Sequence, residues 1–267
     1  MDRKICEKYR RLQQALSDYG AVAVAFSGGV DSTFLLQAAH DVLGGRAIAI
    51  TAEPSFVPLR EQAEAEEFCQ KNGITQIVVS QDELDISSVR LNPPDRCYHC
   101  KRLIFGKLIA KASEQGISVV AEGSNVDDTG DYRPGMRAIR ELGVVSPLLD
   151  AGLSKAEIRL LSRELGLPTW DKPSFACLAS RFVYGEVITD EKLAMVDRAE
   201  QLLLDLGLRQ FRVRIHGTLA RIEVLPEEMA RIMADGTREQ IAEKLKEFGF
   251  SYVTLDLIGY QIGRAHV

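Results

Sequence analysis

The sequence predicts an α/β fold built on a parallel sheet, followed by a small α+β domain. Residues 21–26 (AVAVAF) form an unbroken apolar run, as expected of a strand buried on both faces. Strand-like and helical patterns then alternate as far as residue 121, the pattern of a parallel sheet with crossover helices. After about Arg181 a long helical stretch precedes two short alternating segments, and a different domain begins. These observations set expected domains at residues 1–181 and 182–267.

The elements follow in order. Ile5, Tyr9, Leu12, Leu16 and Tyr19 recur at helical spacing, so the N-terminal segment is an amphipathic helix. The 21–26 strand leads into a helix from Ser32 to Val42 that stops at Gly44-Gly45. A strand at 47–51, a helix at 59–71, a strand at 76–79, a helix at 101–114 and a strand at 118–121 complete the alternation. Ser154-Lys-Ala-Glu157 is a capping box, and its helix runs to Leu165 before Gly166. Beyond Arg181 the pattern gives a helix at 191–206 and strands at 211–216 and 220–224. Pro226 suits a helix first turn, and a helix at 238–248 and a strand at 252–255 follow.

Composition narrows the class. The 267 residues are 46% hydrophobic and 27% charged, enough apolar material for a core without disulfide staples. No apolar run approaches the roughly 18–20 residues that cross a bilayer, and the charged first twenty residues carry no signal-peptide core. The expected location is the cytoplasm, with no membrane partner. Net charge is −5, from 33 basic and 38 acidic residues, which disfavours a nucleic-acid partner. Of the five cysteines, Cys6 and Cys69 fall in amphipathic helical patterns as packing residues.

The first strand ends in Ser27-Gly28-Gly29-Val30-Asp31-Ser32, directly before a helix. Two glycines allow main-chain N–H groups to approach phosphate oxygens, and the helix start adds N–H donors and a positive dipole. Ser27 and Ser32 supply hydroxyls, and Asp31 can hold Mg2+ bridging phosphates. The loop is neither a Walker A sequence nor GxGxxG. The plainer alternative is a glycine turn that links strand to helix. Thr51 at the end of the second strand and Gly123 after the fourth belong to the same strand ends, where open α/β sheets bind ligands. Asp127 and Asp128 there suit a metal or a solvated loop, and Arg133 and Arg137 suit phosphate, a substrate carboxylate or solvent.

Cys97-Tyr98-His99-Cys100 enters a helix after a proline-rich turn. A CxxC there is redox-active, half of a metal site or accidental. With Cys177 as third ligand, a histidine such as His99 would complete a zinc site. Three thiolates alone instead suit a 4Fe-4S cluster with one open iron. Farther on, alternation puts Arg212, Arg214 and His216 on one strand face and Arg221 and Glu223 on one face of the next. That face either offers cations to a phosphate or carries cross-strand ion pairs.

The SGGVDS loop after a first strand resembles the PP-loop ATP pyrophosphatases, which cleave ATP between its α and β phosphates. Cys177 with Ser180-Arg181-Phe182 and Tyr184-Gly185 resembles, within that group, the LarE-type sulfur transferases. So do Asp131-Tyr132-Arg133-Pro134-Gly135, FRVRIH at 211–216, ARIE at 220–223 and YVTLDL at 252–257. The resemblance implies an adenine nucleotide alpha hydrolase-like, Rossmann-like sheet and a homo-oligomer. It implies ATP and Mg2+ at Ser27, Gly28, Gly29, Asp31, Ser32, Thr51, Gly123 and Arg133. It implies Cys177, Ser180 and Arg181 at the reacting centre, Arg212 and Arg214 on a substrate phosphate, and Glu200 and Glu223 in a polar or metal-binding role.

The activity implied is adenylation of the carboxylates of pyridinium biscarboxylic acid mononucleotide and their conversion to thiocarboxylates for a nickel-pincer cofactor. Some members sacrifice the sulfur at the position of Cys177. The added Cys97 and Cys100 resemble members whose three cysteines hold a 4Fe-4S cluster fed by a sulfide donor. A tRNA thiolase with such a cluster, and a non-catalytic nucleotide or iron–sulfur sensor, are the competing readings.

Overall fold

Asp2 accepts the Lys4 N–H (2.9 Å) and so caps α1 (Arg3–Tyr19). Leu12 and Leu16 of α1 are fully buried, with Ile5, Tyr9 and Tyr19 packed around them as the spacing predicts. The computed structural model describes residues 2–53, 59–80, 87–130, 134–173 and 177–261. The chain forms two units, Met1–Asp82 with Cys97–Phe175, and Glu83–Arg96 with Ala176–Val267.

In the first unit β1 (Val22–Ala25) leads into α2 (Val30–Leu43), β2 (Ala47–Glu53), α3 (Leu59–Asn72) and β3 (Gln76–Ser80). The short α4 (Ser87–Arg90) belongs to the second unit, and α5 (Arg96–Glu114) starts at that unit's last residue before Cys97. Then come β4 (Val120–Ala121), α6 (Pro134–Glu141), α7 (Pro147–Asp150) and α8 (Lys155–Glu164). Among the described residues the sheet has the order β3-β2-β1-β4, with every pairing parallel. An isolated parallel bridge, Ala121 to Val145, extends the β4 edge.

Val22, Val24, Ala47 and Ala49 pack with Leu12, Leu16, Leu35 and Ile158 on one face of the sheet. Ala23, Ile48 and Ile50 pack with Phe105, Leu108 and Ile139 on the other. Burial on both faces is why the strand reads as a continuous apolar run. The expected capping box is present, Ser154 Oγ accepting from Glu157 N–H (3.3 Å) and Glu157 Oε2 from Ser154 N–H (2.8 Å). Among the described residues no helix is long and apolar enough to cross a membrane.

In the second unit α9 (Asp190–Asp205) precedes β5 (Phe211–His216), β6 (Leu219–Val224), α10 (Met229–Ile232), α11 (Thr237–Glu247) and β7 (Tyr252–Leu255). The sheet runs β5-β6-β7, antiparallel at the first pairing and parallel at the second. Gly217, at φ 64°, makes the turn between β5 and β6. Pro226 opens a 3-10 turn, Pro226–Glu228, ahead of α10. Asn92 joins the segment before α5 to this unit: its side-chain amide donates to Val183 O (2.7 Å), and its main-chain carbonyl accepts from Gly185 N–H (3.0 Å).

Candidate functional site

The carboxyl ends of β1, β2 and β4 open on a cavity of about 350 Å³. Ile50, Ile104, Phe105 and Leu108 give it an apolar end that suits a purine ring. Ser27, Gly29, Asp31 and Ser32 form its polar end, and Thr51, Gly123 and Lys101 also line it.

Two glycines shape that polar end. Gly28 has φ 70°, and a Cβ there would lie 3.1 Å from Ala65 Cβ and 3.3 Å from Glu61 O. Only glycine meets both the left-handed backbone and the close approach of α3. A Cβ on Gly123 would lie 3.1 Å from Ser32 N and 3.2 Å from Asp31 Cβ, so the second residue beyond β4 lies close against the first turn of α2. The Ser27 and Ser32 hydroxyls share a hydrogen bond of 3.1 Å, and Ser32 Oγ donates to Gly29 O (3.3 Å). Lys172 Nζ donates to Gly28 O (3.2 Å) and pairs with Glu64 (2.6 Å), fixing the loop from outside.

Asp31 stands in the first turn of α2, where a helix start favours negative charge. Lys155 Nζ meets its Oδ2 at 2.5 Å, while Oδ1 is buried with no hydrogen-bond partner. Burial pushes the Asp31 carboxyl above the usual aspartate range, although Lys155 pulls the other way. A buried carboxylate oxygen of this kind suits a hard cation such as Mg2+. Thr51 Oγ1 accepts from Gln76 Nε2 (2.9 Å). Buried Glu122, at the end of β4, accepts from Ser124 (2.7 Å) and Ser146 (2.5 Å). Arg133 lies outside the described residues.

Lys101 and Lys155 were not singled out from the sequence. The signal for Lys101 was its place one residue beyond the CxxC, on the helix that walls the cavity. Lys155 follows the capping Ser154.

In the second unit Cys177 is exposed and stands immediately before the 3-10 turn Leu178–Arg181. Arg181 donates to Cys177 O (3.2 Å) and Ser180 Oγ (3.0 Å) and makes two bonds to Glu200. Glu200 Oε1 also accepts the Val213 N–H (3.0 Å). Arg214 pairs with Glu223 Oε2 (3.0 Å) and donates to Ser180 O (2.8 Å), while Arg221 meets Glu223 Oε1 (3.1 Å). Glu200 and Glu223, the expected metal-binding carboxylates, thus each receive arginine donors. Arg212 donates to Phe211 O (2.6 Å) and lies over the Tyr260 ring. Burial, and then the charge of Arg181, push its guanidinium down to about 10.

The arginine face, open to a phosphate in one of the two sequence alternatives, is in fact covered, with Arg212 and Arg214 about 5–6% exposed. Cys97 and Cys100 lie in the first turns of α5, both partly exposed. Among the described residues no three His, Cys, Asp or Glu side chains gather as a metal site.

A parallel sheet whose first strand ends in this glycine–aspartate loop defines a PP-loop α/β protein. No family model matches the chain. It is 45% identical over 258 residues to the uncharacterized protein slr1717 of Synechocystis, covering 96% of each chain. It is 36% identical over 261 residues to the pyridinium-3,5-bisthiocarboxylic acid mononucleotide synthase of Lactiplantibacillus plantarum, covering 97% of this chain and 94% of that one. A glutamine-hydrolyzing GMP synthase chain from Methanocaldococcus jannaschii is 29% identical over 217 residues, 74% of this chain and 67% of its own. The chain belongs to the LarE-type sulfur transferase family, that of the pyridinium-3,5-bisthiocarboxylic acid mononucleotide synthase.

Proposed function

We propose that this chain is an ATP-dependent sulfur transferase that converts the carboxylates of pyridinium-3,5-biscarboxylic acid mononucleotide to thiocarboxylates. The observation that carries the reading is 36% identity across 94% of a synthase named for the bisthiocarboxylic product. The glycine–aspartate loop beside the apolar wall of Ile50, Ile104, Phe105 and Leu108 supports ATP as co-substrate.

In this reading Ser27, Gly28, Gly29 and Ser32 bind the triphosphate, and Thr51, Gly123 and Arg133 complete the nucleotide site. Asp31 holds the Mg2+ that accompanies ATP. A substrate carboxylate oxygen attacks the α-phosphorus, the bond to the β-phosphate oxygen breaks, and pyrophosphate leaves. The acyl-adenylate then accepts a sulfur nucleophile at its carbonyl carbon, and AMP departs with the bonding electrons. Arg212 and Arg214 bind the mononucleotide phosphate, which offsets the cost of a buried guanidinium.

Cys177 is the sulfur-bearing residue, with Ser180 and Arg181 setting its backbone. If its own sulfur is given up, the Cβ–Sγ bond breaks, the α-proton is lost and dehydroalanine remains. Cys97, Cys100 and Cys177 would be the residues to hold a 4Fe-4S cluster, which when bound would supply sulfide from an outside donor. A homo-oligomer in the cytoplasm completes the proposal.

The test is pyrophosphate release with the pyridinium mononucleotide, with tRNA and with neither. Release that depends on the mononucleotide is expected. Release that depends on tRNA would move the assignment to a tRNA thiolase, and none with either would favour a sensor.

A further inference from the structure

Lys155 is the first residue of α8, and its backbone is fixed before its side chain reaches anything. Its N–H donates to Asp127 Oδ2 (2.7 Å), and the neighbouring Val126 N–H donates to Leu153 O (3.0 Å). Asn125 in turn accepts the Asp127 N–H (3.0 Å), so the loop after β4 holds the start of α8. From this anchor the ammonium meets Asp31 Oδ2 at 2.5 Å, 124 residues away in sequence, with the two side chains 30% and 22% exposed. The other oxygen of Asp31 is buried without a partner, and Asp128 adds negative charge nearby. Arg159, one turn along α8, is committed to the carbonyls of Trp170 (2.8 Å) and Lys172 (2.7 Å).

We propose that Lys155 is an exchange residue of the phosphate loop. Its ammonium holds Asp31 in the nucleotide-free protein and passes to the triphosphate when the magnesium ion of the nucleotide takes over Asp31. The inference rests on the ATP reading above and adds a residue to it. A lysine suits the task because its compact charge rides on a flexible four-carbon stem, unlike the planar fork of arginine. Mg2+ is bound by one or two carboxylates together with phosphate oxygens, which is what Asp31 and a triphosphate offer. Each charge keeps a partner through the exchange, so neither Asp31 nor Lys155 is left partly buried and alone.

The test compares wild type, Lys155→Met and Lys155→Arg. Mn2+ alone is titrated by spin resonance, and Mg·ATP and AMP are titrated by calorimetry. In Lys155→Met, Mn2+ is expected to bind about tenfold more tightly, because no ammonium competes for Asp31. Mg·ATP should bind about tenfold more weakly, as loss of a charged hydrogen bond implies, while AMP is unchanged. Lys155→Arg should recover part of the Mg·ATP affinity. These opposite signs do not arise from a merely structural role. Mn2+, Mg·ATP and AMP all weakening together in both variants would overturn the exchange, as would unchanged Mn2+ and Mg·ATP affinities in Lys155→Met. Wild-type protein that binds neither ATP nor AMP would overturn the nucleotide reading itself and the exchange with it.

Discussion

Arg181 and Glu200 form a bidentate pair, Nε to Oε1 at 2.8 Å and Nη2 to Oε2 at 2.7 Å, with both side chains fully buried. Burial pushes the Glu200 carboxyl up, but Arg181 beside it prevails and holds it below the usual glutamate range. A carboxylate with a depressed folded value contributes stability above its unfolded value, near 4.5, and that contribution disappears as pH falls below it. Removing one partner strands a buried charge, which costs about 3–5 kcal/mol. Arg181→Met should therefore lower denaturant stability by that amount. Replacing both residues with apolar ones should recover most of the loss. A single variant within about 1 kcal/mol of wild type would contradict the pairing.

Arg212 is expected to behave in the opposite way. Its guanidinium is pushed down to about 10 by burial and by Arg181, so its charged form is a cost in the folded protein. The sign follows: below pH 10 that cost is present in full, and it is relieved as pH rises through the folded value. Arg212→Met should leave ligand-free stability unchanged or raised while weakening the pyridinium mononucleotide by roughly 2–5 kcal/mol. ATP affinity should not move. Calorimetry with unchanged mononucleotide affinity would assign Arg212 to structure alone.

The phosphate loop allows a sharper pair of substitutions. Asp31→Ala removes a carboxylate that serves cations rather than core packing, so pyrophosphate release should vanish in a folded protein. Gly28→Ala must enter the left-handed region at a cost of roughly 1–2 kcal/mol and press on Ala65 and Glu61 of α3. It should weaken ATP binding while leaving mononucleotide binding intact. Normal pyrophosphate yields from Asp31→Ala would sink the assignment of the loop.

Legibility in the sequence followed how local each cause was. The 21–26 strand and the SGGVDS loop could be read because their apolar run, glycines and helix start are contiguous. Alternation in β5 and β6 was also readable, and the register pairs Arg212 with Glu223 and Arg214 with Arg221. What alternation could not reveal is that the polar face is covered: Ser180 O accepts from Arg214, and the charge of Glu200 on α9 acts on Arg212, both from other parts of the chain. The Lys155–Asp31 pair and the tie from Asn92 to Val183 were illegible for the same reason, since neither partner lies near the other in sequence. Asn92 did carry one faint sign, an asparagine before two prolines, and its φ of 50° is a conformation asparagine tolerates.

Thiol chemistry should separate the cysteines. Cys69 is buried in the first unit's core, and desolvation pushes its thiol up to about 12. At pH 8 only about one Cys69 in ten thousand would be thiolate even if a reagent could reach it. Cys177 is exposed. Brief maleimide treatment of the native protein, mapped by mass spectrometry, should label Cys177 first and Cys69 last. Early labelling of Cys69 would contradict its burial in that core.

The sulfur source is decided by the fate of Cys177. A sacrificial cysteine gives up its sulfur once, so turnover would stop at one sulfur per chain and leave dehydroalanine there. The CxxC at Cys97 and Cys100 would then have no part in the chemistry. A three-thiolate set with one open iron can be recharged by sulfide and turns over repeatedly. The added pair of cysteines favours this second course. Anaerobic reconstitution with iron and sulfide is therefore expected to load about four irons per chain. Cys97→Ala, Cys100→Ala and Cys177→Ala should each lose the iron and the multiple-turnover activity, while ATP binding at the phosphate loop persists. Persistence of ATP binding matters, because it separates loss of the sulfur source from loss of the fold. Mass spectrometry of wild-type protein after turnover should find Cys177 intact. Finding dehydroalanine at position 177, no bound iron and full activity in Cys97→Ala would establish sacrifice and end the cluster proposal.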